Sequence, residues 1–185
     1  MIKHFSNWLY RISNGWLVLG ALLVFILFSI LVLPGQSASA EAVSADAGSP
    51  DMSFYYSTDD LYRMAESYGQ AGRDAYIRAR FTFDLIWPII YGVFLITGLS
   101  WVYKRAFPPG NKVWWVNLLP VLGMAFDYLE NIAASLVMSR YPQSTPVVDM
   151  LAPIFTVLKW SLISASFVFL VACVLILITQ KIIRK

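Results

Sequence analysis

Four stretches of this 185-residue chain are apolar for long enough to cross a lipid bilayer, and that constrains the fold more than any other feature. A spanning helix needs roughly 20 mostly apolar residues, because the hydrocarbon core is about 30 Å thick and a helix rises about 1.5 Å per residue. The first stretch, Trp16–Leu33, carries no charge. The others cover Asp84–Tyr103, Val113–Met138 and Leu151–Thr179, and the last two contain internal charges. Composition agrees: 58% of residues are hydrophobic and 14% charged, where a soluble domain has about 45–50% and about 25%. The expected fold is all-α, a single integral membrane domain built as a four-helix bundle, with an extracytoplasmic amphipathic helix between spans 1 and 2.

Lys and Arg in the flanks set the orientation. With the N-terminus inside, the inner segments hold Lys3, Arg11, Lys104, Arg105, Lys112, Lys181, Arg184 and Lys185 and no acid. The outer segments hold five arginines interleaved with Glu41, Asp46, Asp51, Asp59, Asp60, Glu66, Asp74 and Asp149. Both termini and the tight loop around Phe107–Pro109 are therefore expected in the cytoplasm, in a plasma membrane. Trp8, Tyr10, Trp16, Trp101, Tyr103, Trp114 and Trp115 stand where interfacial aromatic belts belong. The first span has a rival reading. A basic start, an apolar run and Ala38-Ser39-Ala40 resemble a cleaved secretory signal. The run exceeds the usual signal core of about 7–15 residues, which favours a retained anchor.

Between spans 1 and 2, residues 34–57 read as a linker, its first part being the small, polar run PGQSASAEAVSADAGSP. A helix is expected over residues 58–83. Ser57 or Thr58 can cap it, and Asp59 and Asp60 suit its positive end. Leu61, Met64, Ala65, Tyr68, Gly72, Ala75 and Tyr76 recur at helical spacing, and Gly69 and Gly72 mark a bend. The segment either lies on the outer leaflet with Arg73, Arg78 and Arg80 on lipid phosphates, or forms a lid on the bundle with its arginines paired to nearby acids. Interleaved acids favour the lid.

Ionisable residues within spans are costly and find partners in the bundle interior. Four qualify: Asp84, Asp127, Glu130 and Lys159. In the run FDYLEN, Asp127, Glu130 and Asn131 share a helix face at spacings of three and four. Lys159 lines up with Thr156, Ser166 and Cys173, and Asp84 with Tyr91 and Gly98. Asp127 lies about 18 Å from the inner interface at Trp115 and Lys159 about 12 Å from the outer one at Leu151, at a helix rise of about 1.5 Å per residue. In a core of about 30 Å the two meet at one level. An Asp127–Lys159 pair is expected, with Glu130 one turn outward toward Asp84, Arg80 and Arg140. Pro88 frees the carbonyl of Asp84 from its helical hydrogen bond.

The candidate ligand-binding residues are Asp84, Tyr91, Asp127, Glu130, Asn131 and Lys159. Three acids against one lysine in the spans point to a pocket in the outer half for a cationic or hydroxylated lipid or amphiphile, or to acid–base chemistry there. The alternative is a structural or accessory subunit whose buried charges only specify helix packing. Conduction is disfavoured, because no polar stripe continues to the inner side. His4 is the only histidine and Cys173 the only cysteine. An intrachain disulfide and a histidine-built metal or haem centre in the membrane are thereby excluded. No metal and no cofactor is expected. Hydrolase, P-loop, zinc-protease and dinucleotide motifs are absent. The pI near 9.0 invites nucleic acid, but the charge positions argue against it. The expected partners are membrane lipids and a membrane protein or second copy.

The runs GRDAYIRARFTFDLIWPIIYG, FDYLEN, SRYP and FTVLKW resemble a family of small four-span bacterial membrane proteins without an assigned function. The resemblance covers roughly Tyr62 to Trp160. It implies no activity, but it includes the acids and lysine named above, which favours a shared structural or binding role. Claudin-type proteins share the topology, but their extracellular cysteine pair is missing here. Sterol-isomerase-type proteins offer only the analogy of acids in an intramembrane pocket.

Overall fold

The computed structural model describes residues 1–44, 47–108 and 110–183. Asp46, Pro109, Arg184 and Lys185, used above for topology, lie outside the described residues. The described residues are mostly helical: α1 (Ile2–Ile12), α2 (Gly15–Leu31), α3 (Leu33–Ser44), α4 (Thr58–Ser67), α5 (Gly69–Arg80), α6 (Phe83–Ala106), α7 (Leu119–Arg140) and α8 (Val148–Ile183). Single 3-10 turns cover Pro50–Met52 and Trp114–Leu118. Four helical stretches are long and apolar enough to cross a membrane: Gly15–Ala42, Gly69–Ala106, Trp114–Arg140 and Val148–Ile183. Helices suit that environment because each backbone group is satisfied within its own segment.

The outer surface supports the same conclusion. Leu23, Leu27 and Ile30 of α2, Ile86 and Ile89 of α6, Leu129 and Ile132 of α7, and Val168, Val171 and Leu175 of α8 are all exposed. Asp127, Glu130, Asn131 and Lys159 are buried instead. So large an apolar surface has no place in water, and this chain is a multi-pass membrane protein. The α7–α8 contact is lined by small side chains. A Cβ on Gly123 would sit 3.0 Å from the Ile163 side chain. Such small residues allow backbones to approach where hydrophobic driving force between helices is weak.

Several boundaries differ from expectation. Residues 33–44 form α3, where composition had implied linker. Pro34 falls in the first helical turn, where a missing N–H costs nothing. Ala and Glu are good helix formers, and a chain leaving α2 needs no new nucleation. The amphipathic stretch is two helices, broken at Gly69 with φ +59°, a conformation glycine adopts without penalty. The third span opens on the 3-10 turn at Trp114. With 36 residues, α8 is about 54 Å long at the usual rise and projects beyond the hydrocarbon.

The α4–α5 segment is a lid on the bundle. Leu61, Met64, Ala65, Tyr68 and Tyr76 pack on Ala133, Ala134, Val137 and Met138 of α7 and Ala152 of α8. Ser57 caps α4 through a reciprocal box with Asp60. Pro153 cannot donate to the carbonyl of Asp149, four residues back; the Thr58 hydroxyl donates to that carbonyl at 3.3 Å, and Tyr62 donates to the Asp149 carboxylate at 2.9 Å. At the other end, α1 lies against the bundle. Its Ser6 hydroxyl donates to Asn117 Oδ1 at 2.7 Å, and Asn117 Nδ2 donates to the Ser6 carbonyl and to Ser100, both at 3.1 Å.

Candidate functional site

Helical spacing places Asp127, Glu130 and Asn131 on the face of α7 that meets α8. Lys159 of α8 reaches both acids: its Nζ lies 3.6 Å from Asp127 Oδ1 and in direct contact with Glu130. Tyr91 of α6 donates to Asp127 Oδ2 at 2.8 Å, and Asn131 approaches Oδ1 at 3.5 Å. Glu130 is wholly buried and Lys159 is 3% exposed, so each charge depends on the others. The expected Asp127–Lys159 pair is present, but among the described residues Glu130 forms no ion pair with Arg80 or Arg140. It is the nearer partner of Lys159. Depth arithmetic follows Cα positions, whereas the four-carbon lysine stem carries Nζ away from its own turn. Arg140 is exposed and takes no part.

Asp84 belongs to a second cluster. Arg80, at the end of α5, is buried between Asp51 and Asp84, with Nε 2.9 Å from Asp84 Oδ2. Its guanidinium lies 4.6 Å from the ring centroid of Tyr76. The pairing of the lid arginine with acids is thus observed, but Asp51 is a partner that no spacing in the sequence marks. Nearby, burial and then the charge of Glu130 raise the hydroxyl of Tyr56 above the usual tyrosine value, keeping it neutral.

Both clusters open on one cavity of about 460 Å³ between α3, α5, α6 and α8. Its polar part is made by Asp51, Arg80, Asp84, Tyr91, Asp127 and Lys159, and its apolar part includes Phe25, Phe83, Trp87 and Phe167. Volumes of about 300–1,000 Å³ are typical of small-molecule sites. The aromatic side is a continuous stack: Phe25 on Trp87 at 5.8 Å, Phe28 on Trp87 at 5.6 Å, and Phe28 on Phe83 at 5.7 Å. Sequence reasoning missed this wall, although residues 83, 87, 91 and 94 are aromatic and recur at spacings of four, four and three. Among the described residues, the carbonyl oxygen of buried Asn131 and the hydroxyl of buried Tyr76 have no hydrogen-bond partner.

The six proposed residues therefore divide. Tyr91, Asp127, Asn131, Glu130 and Lys159 form one cluster, and Asp84 joins Arg80 and Asp51 in the other. Of the six, Asp84, Tyr91, Asp127 and Lys159 line the cavity. No known protein family, curated protein or solved structure matches the chain. Its own geometry is what remains to indicate a role.

Proposed function

We propose that the lid-side cavity binds a lipid or other amphiphile, its apolar part against the aromatic wall and its head group among the buried charges. The observation that carries this reading is a cavity of about 460 Å³ directly over an ion cluster. Four carboxylates, Asp51, Asp84, Asp127 and Glu130, stand against two cations, Arg80 and Lys159. The acidic surplus suits a cationic or hydroxylated head group. Ala75 and Ala79 of the lid line the cavity, so bulk can be added there without removing a charge. Native mass spectrometry in mild detergent should find an amphiphile bound to the wild-type protein and lost from Ala75→Trp and Ala79→Trp variants of unchanged melting temperature. Equal retention in all three would overturn the reading.

A second reading has its own support. Lys159 is fully engaged by two acids, and Arg80 ties the Asp51 turn to α5 and α6. Such bonds specify packing whether or not anything binds above them, as in an accessory subunit. Cavity-filled variants that keep full biological activity in cells would favour it.

In either case we propose a plasma-membrane protein with both termini in the cytoplasm. Lys3, Arg11, Lys104, Arg105, Lys112 and Lys181 gather at the end opposite the lid, which supports that orientation. The contacts of α1 with Asn117 and of Gly15 with Trp101 support a first span retained as an anchor. In a Cys173→Ala background, an impermeant thiol reagent applied to intact cells should label Ser144→Cys and not Asn111→Cys. The reverse pattern inverts the topology.

A further inference from the structure

A second cavity, of about 570 Å³, lies at the opposite end from the lid and shares no residue with the first. It is bounded by α1, the end of α6 and the turn that leads to Trp114. Lys3, Lys104 and Lys112 line it, and among the described residues no carboxylate does. None of these lysines forms an ion pair among the described residues. Lys104 is partly committed: it donates to the carbonyls of Tyr10 and Ser13, acceptors that the end of α1 leaves over. An ammonium has three N–H donors, so one remains. Tyr103 also lines the cavity. It is 7% exposed, and its hydroxyl has no partner among the described residues. A buried hydroxyl in that state is open to a further partner.

The position of α1 says at what level this cavity sits. One face of the helix is anchored by Ser6 and Leu9, which are buried. The other exposes Ile2, Phe5, Trp8 and Ile12, with Phe5 stacked on Trp8 at 5.9 Å. Arg11 borders that face, and Lys3 stands on the cavity side of the helix. A short helix with an apolar outer face and basic flanks lies in the membrane interface, at the level of head groups.

We propose that this cavity is a phosphate site occupied by the head group of an anionic phospholipid, with Lys3, Lys112 and the spare donor of Lys104 on the phosphate oxygens and Tyr103 donating its hydroxyl. The acyl chains then run along the apolar face of the bundle beside α1. The site is independent of whatever fills the lid-side cavity.

The test uses the full-length protein in detergent, titrated with phosphatidylglycerol or with phosphatidylcholine of the same chain length and read by native mass spectrometry. Phosphatidylglycerol should bind more tightly, and the preference should shrink as salt rises. A basic residue near a membrane surface contributes about fivefold in affinity for anionic lipid. Lys3→Gln and Lys112→Gln change exposed side chains, so each should lower phosphatidylglycerol binding about fivefold and leave phosphatidylcholine unchanged. Tyr103→Phe should weaken phosphatidylglycerol alone, with no change in melting temperature. Equal binding of the two lipids, or full phosphatidylglycerol binding by the Lys3→Gln/Lys112→Gln double variant, would overturn the proposal. So would displacement of phosphatidylglycerol by millimolar inorganic phosphate, which would make this a site for the free ion.

Discussion

Asn117 and Lys159 are both buried polar side chains of the same bundle, one near α1 and the other beneath the lid, and they are accommodated in opposite ways. Asn117 is neutral. It accepts from Ser6 and donates to the Ser6 carbonyl and Ser100, and it lines neither cavity. Lys159 is ion-paired with Asp127 and Glu130 and borders a cavity. Neutral hydrogen bonds between helices in a membrane are worth about 0.6 kcal/mol on average, which is enough to set register. The Ser6–Asn117 contact shows that this chain can join helices through neutral side chains. Buried ions are the costlier means, and a hollow beside them gives up packing as well. The contrast is why binding, rather than packing alone, is the favoured reading of the lid-side cluster.

The contrast makes its largest prediction at Lys159. Lys159→Met strands two carboxylates, and breaking a buried pair on one side costs on the order of 3–5 kcal/mol. The structure also ranks the partners. Asp127 keeps a hydrogen bond from Tyr91 when Lys159 is lost, whereas Glu130 is wholly buried and has Lys159 as its one ion-pair partner among the described residues. Lys159→Met/Glu130→Leu should therefore recover more thermal stability in detergent than Lys159→Met/Asp127→Leu. Equal recovery, or the reverse order, would show that Glu130 is not the principal partner.

The same operation at the other end should cost less. Asn117→Leu leaves the Ser100 hydroxyl without its donor but strands no charge, and Ser6 keeps its bond to the Trp114 carbonyl. A buried neutral group left unsatisfied costs about 1–3 kcal/mol, so a melting-temperature loss clearly smaller than that of Lys159→Met is expected. A loss as large would erase the distinction between the two ends.

How far each region was legible in sequence follows the same division. The spans and the level at which Asp127 meets Lys159 follow from apolar run lengths and helical rise, both local quantities. The lid face follows from the spacing of Leu61, Met64 and Tyr68. Which acid lies closest to Lys159 does not, because side-chain reach decides it. The Asp51–Arg80 pair and the Ser6–Asn117 latch each join residues far apart in the chain, and a single polar residue carries no period. In α3, composition misled because a helix already under way extends through residues that would not start one. The amphipathic pattern of α1 was present in the sequence, but the charges of that segment were counted for topology and its apolar residues were not set on a helix.

The smallest effect concerns the lid over the ion cluster. Its apolar face holds it to α7 and α8, and the start of α4 is fixed by a capping box. The Ser57 N–H donates to Asp60 at 2.9 Å and the Asp60 N–H to the Ser57 hydroxyl at 3.2 Å. The backbone bond from Ser57, followed by that from its side chain, holds the Asp60 carboxyl below the usual aspartate value. A lowered folded-state value has a definite sign: the contribution is present above the unfolded value, about 3.9, and is lost as pH falls through the lowered folded value. Arg63 adds little, since its side chain is 72% exposed. Ser57→Ala should cost about 1 kcal/mol at neutral pH, read as faster amide exchange in residues 59–63 while Val137 and Met138 of α7 stay protected. In the wild type, protection of those lid amides should fall as pH drops below the ordinary aspartate range. In Asp60→Asn it should start lower and change less over the same interval. Identical pH profiles for the two proteins would remove the capping carboxylate as a determinant of lid closure and leave the lid's apolar face as its principal hold on α7 and α8.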